Sequence, residues 1–254
     1  MINFFRKIRQ QLLVEKQFSK YLLYALGEIT LVVVGILVAL QINNWKEQQN
    51  QIQLQRVYLN RLVNDLDYDL RNIEYVRAAV DENQAVISNF IKTINSGQNK
   101  DSLLKSATAY FEKGWIISEF VPSMNTYTDL SQTGNMKVIG NTELVNDIIA
   151  YYGYITQLEN SNNVNKNWIT PIDQAVAKET PAFEIDPNTS NLFSNNNQNI
   201  AISSLLEHKA LMERNAAGHF WINSSLNGNL QAIKSLTEDL ILAIKNELRL
   251  LGDS

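Results

Sequence analysis

Glu28 is the residue whose chemistry most needs explaining, because it is the single charge in the apolar run YLLYALGEITLVVVGILVALQI from Tyr21 to Ile42. A carboxylate held near the middle of a bilayer costs roughly 2.5–3.5 kcal/mol on insertion scales. Such a group must be protonated, paired or kept close to an interface. Lys20, Tyr24 and Glu28 follow one another at i+4 steps, so a local reading holds Glu28 near the inner headgroups with Lys20 snorkelling beside it. The sharper reading pairs Glu28 with a partner helix. Gly35 and Ala39 would permit close approach there, as a small-xxx-small pair of a kind that recurs by chance in apolar segments.

The remaining chemical candidates are weaker. His208 and His219 are the only histidines, and as neighbours on one helix face they would stand about 16 Å apart, too far to chelate one ion. Asp65, Asp67 and Asp69 alternate with apolar residues in a helical stretch, where alternate positions diverge, so they read as a solvated face rather than a calcium loop. Tyr151, Tyr152, Tyr154 and Trp168 have the spacing of core aromatics more than of a ligand cavity. Asn188-Thr189-Ser190 and Asn223-Ser224-Ser225 fit the glycosylation acceptor pattern, which matters only where that machinery exists. The chain has no cysteine, which excludes disulfides, thiolate nucleophiles, cysteine-ligated zinc and lipoprotein-type acylation, and is neutral about compartment. No catalytic, cofactor or metal constellation emerges, so the chain reads as a non-enzyme.

The element that positions Glu28 is a transmembrane helix. Tyr21 to Ile42 extends about 33 Å as a helix, slightly more than the hydrocarbon core. Tyr21 and Tyr24 stand near one end and Trp45 beyond the other, at the levels where amphipathic rings prefer to lie. Arg6, Lys7, Arg9, Lys16 and Lys20 precede the span, against Lys46, Arg56 and Arg61 after it, so the N-terminus is expected in the cytoplasm. A cleaved signal peptide would have a shorter apolar run and a small-x-small site, which Val38-Ala39-Leu40-Gln41 does not offer. These features predict an uncleaved signal anchor in a bacterial inner membrane: residues 1–20 cytoplasmic, 21–42 spanning, 43–254 periplasmic.

Phe4, Phe5, Ile8 and Leu12 recur at helical spacing opposite Arg6, Lys7, Arg9 and Gln10. That is the pattern of a basic amphipathic helix on the inner leaflet, with Arg6, Lys7 and Arg9 facing anionic lipid; a solvated segment that merely orients insertion is the alternative. A net charge of −4 and the clustering of basic residues beside the membrane give no reason to expect nucleic acid. With so short an inner segment, an inward signal would need a second protein.

Beyond the span, 45% hydrophobic residues in a chain of this length predict one folded domain. Trp45, Ile52, Leu59, Leu66, Ile73, Val80, Ile87 and Ile94 recur every seventh residue. In the companion series Leu62, Val76 and Phe90 are apolar, whereas Gln48, Gln55, Asp69 and Asn83 are not, and Val63, Leu70 and Ile91 widen the stripe. A mixed, wide stripe favours a bundle helix over a two-stranded coiled coil. As one helix, Trp45 to Ile94 would be about 75 Å long.

Asn95-Ser96-Gly97 predicts its stop, and Asp101 or Ser102 a cap for a second helix through Phe111. A short helix is expected over Ser123 to Leu130, closing near Gly134, and Asn141 or Thr142 caps the next, with Leu144, Ile148, Tyr151, Tyr152, Ile155 and Leu158 buried. Asn160 to Asn167 fits either a loop or an exposed helical stretch, and Pro171 a helix start or kink. Pro181, Pro187 and Ser194 to Asn199 mark a polar loop, and a final long helix, beginning near Ile202, buries Leu226, Leu230, Ile233, Leu240, Ile244, Leu248 and Leu251. The expected fold is all-α: the spanning helix, then an elongated extracytoplasmic bundle with two long helices, which should pack on each other or on the middle helices; antiparallel pairing would bring Leu251 back toward Trp45.

INFFRKIRQQLLVEKQFSKYLLYALGEITLVVVGILVALQINNW at the front, with TYTDLSQTGNMKVIGNTELVNDIIAYY from Thr126 to Tyr152, resembles an uncharacterised family of single-pass membrane proteins from Bacteroidota. The resemblance implies a signal-anchored helical protein of unknown function and brings no catalytic or binding residues with it. Two function classes follow. The first is an interaction or scaffold protein of the cell envelope, with the bilayer and a protein partner or a second copy as its associates. The second is an extracytoplasmic ligand-sensing module coupled to a separate signalling protein, which a buried polar cavity would favour.

Overall fold

The structure, a computed structural model, describes residues 18–97, 99–194 and 197–252. Among these it contains seven α-helices and no strand, an all-α architecture as the patterning predicts. The chain divides into two compact units, Met1–Arg56 and Val57–Ser254. Helix α1, Phe18–Ser96, contributes to both.

In the first unit, α1 presents apolar side chains in every direction. Leu23, Leu26, Ile29, Leu31, Leu37 and Ile42 are all exposed. It is the one described helix long and apolar enough to cross a membrane, and the window that qualifies it has none of its residues buried in protein. Thr30 donates its hydroxyl to the Leu26 carbonyl at 2.8 Å, so this polar group is satisfied within the helix. The segment carrying Arg6, Lys7 and Arg9 lies outside the described residues.

In the second unit, three long helices form the bundle: the part of α1 from Val57, α4 (Thr142–Glu179) and α7 (Lys209–Gly252). As the position on α1 rises from Glu74 to Gln84, its polar partner on α7 falls from Lys234 to Ser224, so these two helices are antiparallel. Tyr151 meets Thr237 and Asp173 meets Asn215, so α4 also runs antiparallel to α7. The heptad positions Leu59, Leu66, Ile73, Val80, Ile87 and Ile94 are all buried. Burying one apolar stripe per helix is what makes such helices stable in water.

The core falls into two apolar clusters. One joins Leu59 to Val80 of α1 with Leu144 to Ile155 of α4 and Leu226 to Ile244 of α7. The other gathers Ile87, Phe90 and Ile94 with α2 (Lys100–Ala109), the π-helical turn Tyr110–Gly114, Val176, Met212 and Ala216. Phe90 and Tyr110 stack there at 4.6 Å between ring centroids. Short α5 (Ala182–Ile185) and α6 (Gln198–Glu207) close this end with Ala182, Ile185, Ile202 and Leu205.

Local signals act where the sequence places them. Gly97, at φ 62°, ends α1 in the left-handed region that a Cβ would disfavour. Asn141 accepts from the amides of Glu143 and Leu144 and starts α4. Three expectations change. Asn99, not Asp101 or Ser102, caps α2, its side chain accepting from the Asp101 amide. Asn160 to Asn167 takes the exposed-helix alternative, but α4 continues through Pro171 rather than starting there, making a third long helix. The final helical region breaks at His208, whose Nδ1 lies 3.0 Å from the Ser204 carbonyl as it closes α6.

Candidate functional site

The anchor residues singled out by the sequence all lie on α1. Tyr24 and Trp45 are exposed, a Cβ on Gly35 would meet nothing within 4 Å, and Ala39 faces outward. Glu28 is half-buried. The residues of α1 from Leu22 to Ile42 offer a continuous apolar surface.

The second site is a strap. Between the π-turn and α3 (Asn125–Gln132), residues Ile116 to Met124 form no regular structure, and their backbone groups need partners. Side chains of α1 supply them. Asn83 donates to the Ile116 carbonyl at 3.2 Å, Asn72 to the Val121 carbonyl at 3.1 Å, Asp69 accepts from the Ser123 amide at 2.8 Å and Asp65 from the Thr126 amide at 3.1 Å. Arg61 continues the series to Asp129 at 2.8 Å, and Lys113 pairs with Glu82 at the other end. The strap therefore runs antiparallel along α1, and two of the four polar breaks in the heptad companion series, Asp69 and Asn83, are among its attachment points. The solvated-face reading of the aspartates fails at Asp69, which has no exposed surface. Burial pushes its carboxyl up to about 7, against the lowering effect of the Ser123 amide and with help from nearby Asp65.

The third is a polar layer between the two apolar clusters. Tyr110 donates to Asn215 Oδ1 at 2.6 Å, Asn215 Nδ2 donates to Asp173 Oδ1 at 2.6 Å, and His219 Nε2 lies 2.7 Å from the same carboxylate oxygen. Tyr110, Asn215 and His219 have no exposed surface, while the Asp173 side chain is 28% exposed. Burial, with Asp173 close by, holds the Tyr110 phenol well above its ordinary range. Gly218 makes the approach possible: a Cβ there would sit 2.4 Å from Ile169 Cδ1 of α4. A carboxylate orienting an imidazole is half of a hydrolase triad. Here His219 is sealed from solvent, and its Nδ1 makes no hydrogen bond. The pair sets the register of α4 against α7 and the π-turn.

Nothing in the histidine spacing announced this layer. The signal present was positional: Met212, Ala216, His219, Asn223 and Leu226 recur at threes and fours on the buried stripe of α7. The same burial removes Asn223, 1% exposed, from consideration as a glycosylation acceptor. Tyr151 and Tyr152 are core residues as expected, whereas Trp168 is 56% exposed and meets Trp221 edge-on at 5.8 Å.

Among the described residues, openings with room for a ligand or a partner side chain include the following. One, about 640 Å³, lies beside the strap against Asp65, Tyr68, Asn72 and Glu119. Another, about 430 Å³, is a groove between α4 and α7 with Asp147 and Asp239 on its walls. Among the described residues, no group of three or more metal-ligating side chains comes together.

The family of unknown function DUF6090 matches residues 28–162, from the middle of the apolar stretch to the polar part of α4. The chain belongs to this family. No curated protein and no solved structure matches it. The DUF6090 match takes in the strap and all its anchoring residues on α1, but only the first half of α4 and none of α7. Asp173, Asn215 and His219 thus lie beyond the matched residues.

Proposed function

We propose that this DUF6090 protein is a single-pass, membrane-anchored interaction module of the bacterial envelope, with its N-terminus in the cytoplasm and its bundle in the periplasm, and that it recruits or positions a partner protein. The observation that carries this reading is the run from Leu22 to Ile42, apolar on all sides and unburied, at the start of the helix that goes on to build the bundle core. A helix apolar all round belongs in lipid. Asymmetry of Lys and Arg about the span supports the orientation, and the resemblance to Bacteroidota proteins supports the bacterial setting. Catalysis is not part of the proposal: in the Asp173–His219 pair the imidazole has no exposed surface.

Alkaline phosphatase fused after Ser254 is expected to be active and β-galactosidase at the same site inactive. The reverse pattern would overturn the topology. Affinity purification from detergent-solubilised native membranes is expected to recover a second protein in stoichiometric amount.

A sensing module coupled to a separate signalling protein is the second reading. It is favoured by the carboxyl of Asp69, buried at the strap and pushed up to about 7, where envelope pH would change its charge. Under that reading, recovery of the partner changes between pH 5.5 and 8 and ceases to change in Asp69→Asn.

A further inference from the structure

The bundle treats its outer grooves differently. The one between α1 and α4 is covered by the chain itself: Leu130 of α3 is fully buried, Tyr127 stacks on Tyr152 at 4.2 Å, and Arg61 and Asp65 hold α3 from the α1 side. The one between α4 and α7 has no such cover. Its floor is apolar, with Ala150 and Tyr154 from α4 facing Leu236 and Ala243 from α7. Leu236 is 41% exposed. Asp147 stands on one wall and Asp239 on the other, no Lys or Arg lines the groove, and neither carboxylate is in an ion pair among the described residues.

We infer that this groove is the docking site for a cationic amphipathic helix of a second protein, a proposal that rests on the interaction-module reading and names the partner's chemistry. Residues 147 to 154 and 236 to 243 each span about two helical turns, about 10 Å, which accommodates an i, i+3/i+4, i+7 ridge. Small Ala150 and Ala243 let a helix backbone come close, and Leu236 meets its apolar ridge. The paired aspartates lie where Lys or Arg flanking that ridge would reach both walls. Charge also argues against a second copy as occupant. A two-fold contact is the same patch on both subunits and would bring Asp147 and Asp239 against their own kind.

The test uses the full chain in native membranes, with the photo-crosslinker benzoylphenylalanine placed at Leu236 and, as control, at Val164 on the exposed helical stretch of α4. The expected product is a heterologous crosslink from position 236 and not from 164. Its crosslinked peptide, sequenced by mass spectrometry, should come from an amphipathic helix with Lys or Arg beside its apolar face. Asp147→Lys with Asp239→Lys should lower the yield at least about tenfold, and Asp147→Asn with Asp239→Asn by less, with helicity and thermal midpoint retained in both.

A crosslink to a second copy, to an acidic or non-amphipathic segment, or one indifferent to both double variants overturns the proposal, as does no crosslink from 236 while a partner still co-purifies. Absence of any co-purifying protein would defeat the interaction-module reading itself, and the groove proposal with it.

Discussion

Two stretches of α1 use the same side chains to opposite ends. From Leu22 to Ile42 the Leu, Ile and Val residues cover the whole circumference and are all outside the protein interior, whereas from Leu59 to Ile94 they recur every seventh position and are buried. Between the apolar residues of the second stretch lie Arg, Asn, Asp and Glu, which confine the apolar surface to one stripe. Periodicity tells a helix that needs lipid from one that needs other helices. Each stretch also holds one carboxylate out of pattern, Glu28 in the first and Asp69 in the second, and Asp69 accepts from the Ser123 amide of the strap.

The sharpest way to break this comparison is the same truncation in both stretches. Leu66→Ala, at a fully buried position, should cost about 2–5 kcal/mol in urea denaturation of the detergent-solubilised protein, while Leu37→Ala, at a position 59% exposed, should leave that transition where it is. Equal effects would show that the two stretches are buried alike. Charge gives the converse. Leu37→Arg should cost roughly 2.5–3.5 kcal/mol of insertion and shift the chain toward the alkali-extractable fraction, without moving the urea midpoint of whatever bundle is recovered.

The carboxylate in the second stretch titrates with a definite sign. Because the folded Asp69 carboxyl sits at about 7 rather than the ordinary 3.8, the folded state holds its proton more tightly. Its contribution is fully present at acid pH below the ordinary value, declines as pH rises between the two values, and is lost above about 7. Asp69→Asn keeps an acceptor for the Ser123 amide and removes the titration. It should be more stable than the parent at pH 8, by at most about 4 kcal/mol, and show no advantage at pH 4 when the two are compared by urea denaturation. The smallest effect belongs to the end of the second stretch: Gly97→Ala, at φ 62°, should lose about 1 kcal/mol, read as a lower thermal midpoint.

Much of this architecture was legible in local signals. The heptad series from Leu59 onward, the Gly97 stop and the Asn141 cap depend on side chains within a few residues of one another, and act where their spacing indicates, whereas Trp45 at the head of that series is exposed. The polar breaks at Asp69 and Asn83 were visible as departures from the pattern, but their purpose was not. Their partners, Ser123 and Ile116, lie far along the chain in a segment without periodicity. The Asp173–His219 pair is harder still, since it joins two helices through a carboxylate that no motif marks and depends on Gly218 letting those helices close.

By itself, then, the order of residues determined that the chain is helical, which faces are apolar, and, at Gly97 and Asn141, where helices end and begin, because those properties arise from backbone hydrogen bonding and side-chain spacing over a turn or two. Tertiary structure alone decided which apolar faces meet and which one stays open beside Asp147 and Asp239. It also decided that Asp69 and His219 leave solvent. Burial and hydrogen-bond partnership are relations between distant segments, and their energies exist only once those segments are packed together.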